Sequence, residues 1–446
     1  MNEMRGGTSE VAPMTQSASI HRALALFLIP LTFTACGDPS ANDTDDSATG
    51  EDTAQASETS ETNDTSDTGE ESPGPVCGDG VVEGDEACEP SEADPESPCT
   101  DDCQLHVQDG WTTRLDGVAL NAVAVADDGR VFAAGRQTAG LNDDLLVQLL
   151  EPDGSLGWTY TRDTDSVDLE EATDIGILPS GDIVVTGIMH EHEFAFSEAA
   201  YVLRLDAATG ERVWQTKIGK IGQAVEARSA KLAVDAAGEI AVVSSEQGQG
   251  DQKAVIFSSY SADGDLLRRN ERADVSGFAI RVIASGPGTF AVLSWLDNEA
   301  YVVRPDEAGD FVVDESLAGT LLGTHDFAFA PDDTLVYLDS AITATDQNGA
   351  TLWTSLVGGL GRSLDIRSDG IVYTVSHPGI VDTVDVKAFS DTGEPLWTRE
   401  YADVLNATGM DTGATAIAVV GTDPDAAPGA DPSSWVRVLV LPTLLP

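Results

Sequence analysis

From residue 106 onward, short apolar runs alternate with turns built on glycine and aspartate, and helical periodicity is nearly absent. Residues 201–214, Tyr-Val-Leu-Arg-Leu-Asp-Ala-Ala-Thr-Gly-Glu-Arg-Val-Trp, show the pattern most clearly. An apolar strand enters a turn carrying Asp206 and Gly210, and a second strand ends on Trp214. Weaker copies recur at a spacing of about 40–57 residues, a period typical of arrays of one supersecondary unit. Each unit reads as an apolar strand, a first turn, a second strand, a variable loop, a third strand, an outer turn and a fourth strand. The first turn recurs at Asp127-Asp128-Gly129, Pro179-Ser180-Gly181, Ala236-Ala237-Gly238, Gly286-Pro287-Gly288, Pro331-Asp332-Asp333 and Arg367-Ser368-Asp369-Gly370. The outer turn recurs at Gly154, Gly210, Gly264, Gly309, Gly349 and Gly393. Such turns between apolar strands are hairpin chemistry, because glycine takes positive φ without steric cost. Third strands are expected at 145–150, 201–205, 254–257, 301–303 and 384–388.

Four-stranded units at this period predict the blades of a β-propeller. Trp158, Trp214, Trp353 and Trp397 each follow an outer turn by about four residues, on the fourth strand; the third and fourth units lack this Trp. Trp111 lies on a fourth strand with no preceding three, while 413–421 and 435–441 supply strands with no fourth. Pairing the two chain ends would complete a blade and close the ring, hiding sheet edges that invite aggregation. The expectation is an all-β, seven-bladed propeller over 106–446: six units plus one blade shared by the termini.

Residues 205–214, with looser copies at 345–353 and 390–397, resemble the tryptophan-docking repeat of quinoprotein dehydrogenases. The resemblance implies that Trp111, Trp158, Trp214, Trp353 and Trp397 dock between neighbouring blades. Enzymes of that family hold a quinone with adjacent cysteines and calcium. No cysteine follows Cys103, so no cofactor is expected.

The first 105 residues differ in character. His21-Arg22 precedes an apolar run from Ala23 to Phe33 that suits a signal-peptide core and is too short to span a bilayer. It ends in Phe33-Thr34-Ala35-Cys36-Gly37, which resembles a bacterial lipobox. The resemblance implies cleavage after residue 35 and diacylglycerol on Cys36, whose buried acyl chains contribute about 0.8 kcal/mol per CH₂. Residues 36–76 are rich in Asp, Glu, Ser and Thr and poor in large apolar groups, so they are expected to be disordered. As a flexible tether the 40 residues 37–76 would span roughly 35 Å. Cys77, Cys88, Cys99 and Cys103 then crowd into residues 77–105 behind a Cys-Gly-Asp-Gly-Val-Val-Glu opening. That opening resembles the Cys-rich repeat of myxobacterial surface proteins. In an exported chain the four read as two disulfides, with three possible pairings.

Charge narrows the partners. The chain carries 77 Asp+Glu against 23 Lys+Arg, and from His106 onward the balance is still 53 to 21. A surface of that sign repels nucleic acid and anionic headgroups and favours solubility as a monomer. Three constellations stand out in the repeat region. His190-Glu191-His192-Glu193 could share a metal between alternate histidines, although a surface loop is the simpler reading. His325-Asp326 could form an oriented base near the channel, and Arg362, Asp365 and Arg367 could line it. No serine or cysteine nucleophile motif accompanies them. The expected protein is a lipid-anchored envelope protein, outer membrane or cell surface, displaying a non-catalytic propeller that binds a protein or polysaccharide. The alternatives are a hydrolase or lyase with its site at the channel mouth, and a scaffold resembling the propeller lipoproteins that assist outer-membrane protein insertion.

Overall fold

The structure, a computed structural model, describes residues 107–441 apart from 140–141, 163–169, 191–197, 219–225, 248–252, 273–276, 287–288, 297–298, 306–310, 315–324, 333, 347–348, 378–382, 424–431. The expectations for Cys36, the tether, and Cys77, Cys88, Cys99 and Cys103 lie outside the described residues, as does that for His192.

Strand β1 (Gln108–Asp116) precedes six runs of four. Blade one is β2 (Val118–Val125), β3 (Val131–Ala139), β4 (Asn142–Leu150) and β5 (Leu156–Arg162). Blade two is β6 (Glu171–Ile177), β7 (Ile183–His190), β8 (Glu198–Leu205) and β9 (Arg212–Ile218). Blade three is β10 (Glu226–Val234), β11 (Ile240–Gln247), β12 (Lys253–Tyr260) and β13 (Leu266–Arg272). Blade four is β14 (Gly277–Gly286), β15 (Thr289–Leu296), β16 (Glu299–Pro305) and β17 (Phe311–Asp314). Blade five is β18 (Asp326–Phe329), β19 (Leu335–Leu338), β20 (Ala341–Thr345) and β21 (Thr351–Leu356). Blade six is β22 (Leu360–Ile366), β23 (Val372–His377), β24 (Val384–Phe389) and β25 (Pro395–Tyr401). The chain finishes with β26 (Ala407–Thr412), β27 (Ala416–Asp423) and β28 (Ser433–Val440).

Each run is an antiparallel meander with its strands in chain order, because turns of a few residues can join only neighbouring antiparallel strands. The blades made wholly of consecutive strands number six rather than seven. The reason is the closure: the remaining four-stranded sheet is composite, in the order β1-β28-β27-β26, and takes its outer strand from the opposite end of the chain. Its ladder pairs Thr112 with Arg437, Arg114 with Trp435 and Asp116 with Ser433. The first strands β2, β6, β10, β14, β18 and β22 each contact the next, and β26 returns to β2, so the ring is closed. This is a β-propeller.

Packing between blades is apolar. Leu145 and Val147 of blade one pack with Ala172, Ile183, Val185 and Leu203 of blade two across the first boundary, all almost fully buried. Each such Val, Leu or Ile contributes about 1.5–3 kcal/mol relative to exposure. Tryptophans on outer strands tie neighbouring blades at the rim. The indole N–H of Trp111 donates to the Pro152 carbonyl at 2.9 Å and that of Trp158 to Ala207 at 3.0 Å. Trp214 donates to Ala262 at 2.9 Å and Trp353 to Asp391 at 2.8 Å. Each acceptor lies in the outer turn of the next blade, and a glycine there lets the ring close in. A Cβ on Gly210, where φ is +72°, would lie 2.6 Å from the Trp158 ring. Trp397 holds the equivalent place on β25 and packs on Tyr373 with ring centroids 6.0 Å apart. Its neighbour is the composite sheet, whose outer corner is the gap between the chain ends and offers no turn. In blade three, Arg268 takes the Trp position and pairs with Glu239 of its own blade.

Candidate functional site

The first strand of every blade has one edge facing the central channel, so its backbone N–H groups there have no ladder partner and need another acceptor. Aspartates on these strands supply it, each reaching to the next blade. Asp174 accepts from the Leu232 N–H at 3.0 Å, and Asp326 from Leu364 N–H at 2.9 Å and the Ser363 hydroxyl at 3.0 Å. Asp365 accepts from the Thr412 N–H at 2.9 Å and the Thr412 hydroxyl at 2.6 Å. Asp411 accepts from the Val125 N–H at 2.7 Å, across the join between the chain ends. At the same join Ser434, fully buried, accepts from the Leu120 N–H and donates to the Val118 carbonyl.

Arg281 is the cation whose charge is coupled to all four of these acids. Arg281 on β14 lies 3.4 Å from Asp326. Burial would lower its pKa, but Asp326, Asp365, Asp174 and Asp411 together raise it. Burial pushes Asp411 from an ordinary 3.8 up to about 7, helped by the neighbouring charge of Asp365. Burial raises Asp365 as well, against the pull of Arg281 and its hydrogen bonds with Thr412. Both carboxyls are thus held above the ordinary carboxylate range.

A cavity of about 150 Å³ opens at this level and is lined from all seven first strands, with Asn121, Asp174, Lys231, Arg281, Arg362 and Thr408 among its walls. Six of these strands carry a register irregularity, which places Asn121, Thr173, Arg362 and Thr408 at equivalent points. Such bulges re-aim a side chain out of the ladder. Asn121 donates to the Ala172 carbonyl at 2.8 Å, Thr173 to Ala230 at 2.7 Å and Thr408 to Leu120 at 3.0 Å. Each thereby satisfies a carbonyl on the next blade. Arg362 does not: its side chain is exposed at the mouth.

His325 and Asp326 both line this cavity, yet they do not form an oriented base. Both Asp326 oxygens are taken by the Phe327 N–H, Arg281, Leu364 and Ser363, all in the wall. Of the expected channel trio, Arg362 reaches the mouth and Asp365 bonds to Thr412. Arg367 turns away to Asp369 in the first turn and lies over the Tyr373 ring. His190 ends β7, remote in sequence from the mouth residues. Among the described residues no cluster of three or more His, Cys, Asp or Glu could hold a metal ion. Sequence reasoning missed Asp174, Asp411, Lys231 and Arg281. The usable signal was an aspartate inside an otherwise apolar strand, a position the sheet normally disfavours.

A larger cavity of about 460 Å³ lies at the rim between β25 and the β1–β28 pair. Its polar groups are already engaged with each other. Tyr401 donates to Asp109 at 2.6 Å, and Arg437 bonds Asp403 and Thr112 while covering the Tyr401 ring at 4.0 Å. Arg399 donates to the Val107 carbonyl at 2.9 Å. This is the seam's own fastening, and the mouth is the better candidate site.

Blade order, closure and tryptophan docking define the chain as a β-propeller with its blades tied by tryptophans. Comparison with known families matches residues 108–303 to the model described as outer membrane protein assembly factor BamB. Among curated proteins, BamB of Yersinia pestis is 25% identical over 232 residues, covering 49% of this chain. The match spans 54% of that relative, so the chain covers about half the length of the curated protein it resembles. A solved protein of unknown function from Bacteroides caccae has 12% identity and TM-score 0.39, covering 60% of this chain and 93% of its own. A functionally unknown protein from Desulfotomaculum acetoxidans has 14% identity and TM-score 0.45, covering 64% and 88%.

Proposed function

We propose that the protein is a non-catalytic scaffold of the bacterial envelope, held to a membrane by lipid on Cys36 and presenting its propeller to proteins of outer-membrane assembly. In this reading residues 36–76 are the tether and residues 77–105 a disulfide-stabilised spacer. The observation that carries it is the match of residues 108–303, which span β1 and blade one and reach into blade four, to the assembly-factor model. The channel chemistry supports it too, since Asp174 and Asp326 at the mouth are held by backbone N–H groups of the next blade.

The test is affinity purification of the tagged full-length chain from cross-linked, detergent-solubilised envelopes, with Cys36→Ser alongside. The expected result is enrichment of outer-membrane assembly proteins with the wild type, and loss of C36S from the membrane fraction. Failure to enrich those proteins over an unrelated tagged lipoprotein rules out the assembly role. C36S remaining with the membrane rules out the anchor.

A further inference from the structure

We infer that the channel mouth is a receptor for a single oxyanion group, a carboxylate or a phosphate, gripped by Arg362 with Lys231. This does not rest on the assembly reading. The argument begins with the imbalance of charge. With 77 acids and 23 bases, almost any arginine here has a carboxylate within reach. Arg204 pairs with Asp182, Arg114 with Asp423 and Arg437 with Asp403. Arg362 has no hydrogen-bond or ion-pair partner among the described residues, although it stands on the wall of a cavity that also contains Asp174 and Asp326.

Neither carboxylate bonds to it; both have partners in the wall. Asp174 accepts from the Ile175 and Leu232 N–H groups, and Asp326 from two N–H groups, a hydroxyl and Arg281. Lys231 uses one ammonium hydrogen on the Thr173 carbonyl at 2.7 Å and is left with two donors. At the mouth, then, Asp174 and Asp326 have donors from the wall, while Arg362 and two hydrogens of Lys231 have no acceptor among the described residues. Three cations, Lys231, Arg281 and Arg362, meet two carboxylates in the lining, and exposed His325 adds a further imidazole. The deeper acids Asp365 and Asp411 are turned to Thr412 and Val125.

Geometry then sets the ligand. A planar guanidinium with five donors matches a carboxylate or phosphate edge in two parallel bonds. The cavity, about 150 Å³, holds one such group with its remaining water, given roughly 30 Å³ per water. It does not hold a nucleotide or a sugar chain. An acidic surface of this size repels free anions at long range, so a site for one must be built from local donors.

The experiment is calorimetric titration of the full-length protein at fixed ionic strength with succinate and, separately, inorganic phosphate, against chloride. One site per chain is expected for at least one oxyanion, and whichever binds identifies the group. Arg362→Gln should weaken it about tenfold or more, since bonds to charged groups are the strong ones. Arg362→Lys should retain part of the affinity. Arg269→Gln, on the exposed outer strand β13, should change nothing. Heats no greater than chloride for both ligands overturn the assignment, as does R362Q binding like the wild type while thermal melts show every variant folded.

Discussion

The two faces of the ring follow different rules. On one face the first strands end, and the connections there hold two to six residues, with ten of thirteen holding five. Gly129, Gly181, Gly238 and Gly370 sit in these turns with positive φ, as do Gly154, Gly210, Gly264, Gly349 and Gly393. On the opposite face, where His325 and Arg362 stand at the beginnings of first strands, the connections hold from one to eleven residues. Four of the outer turns on the constant face are docking sockets for tryptophans of the preceding blade, which constrains them. The variable face carries no such duty, so its loops are free to differ and the mouth opens among them. The docking turns and the channel mouth thus lie on opposite faces.

The sharpest way to break that division is to attack the constant face. Deleting residues 108–116 bares the edge of β28 and removes the Arg114 and Thr112 contacts; we expect the melting temperature to fall by more than about 10 °C, or cooperative melting to vanish, in calorimetry. Gly210→Val comes next. It forces a branched side chain into positive φ and against the Trp158 ring, and should cost several kcal/mol, about 3, in chemical denaturation.

A smaller effect tests the channel between the faces. Asp411 keeps its proton to about pH 7 in the folded ring, against about 3.8 when exposed. The native state therefore binds the extra proton between those values, and this group's contribution to stability falls as pH rises from about 4 to about 7, then levels off. Asp411→Asn preserves an acceptor for the Val125 N–H and should flatten that fall relative to wild type. Its melting temperature at pH 8 should be higher by about 2–4 °C. The smallest effect belongs to the variable face. Leu356, at the end of the outer strand β21 on that face, is 82% exposed, and Leu356→Ser should leave stability within about 0.5 kcal/mol.

Much of the constant face was legible in the sequence. The five third strands read from Val/Leu runs fall within β4, β8, β12, β16 and β24, because an interior strand buried on both faces shows a continuous apolar stretch. The pairing of Trp111's strand with the one carrying Trp435 followed from counting strands left without partners. The mouth was only half legible. Arg362 was placed there by its nearness to a first strand, but Arg367, five residues on, lies in the turn region of the opposite face. Asp174 and Asp411 went unnoticed because their partners are N–H groups of another blade, 58 and 286 residues away. Local pattern carries no trace of a bond made across a ring closure.

The composite sheet also decides how the molecule carries load. Because Gln108 lies opposite Val440, a pull on the two termini opens the β1–β28 ladder rung by rung, like a zipper. A pull on the chain before Val107, resisted by something held at the channel mouth, instead runs along the length of β1. Its rungs then share the strain together, so the β1–β28 seam resists that pull better than one that parts its two strands from the end.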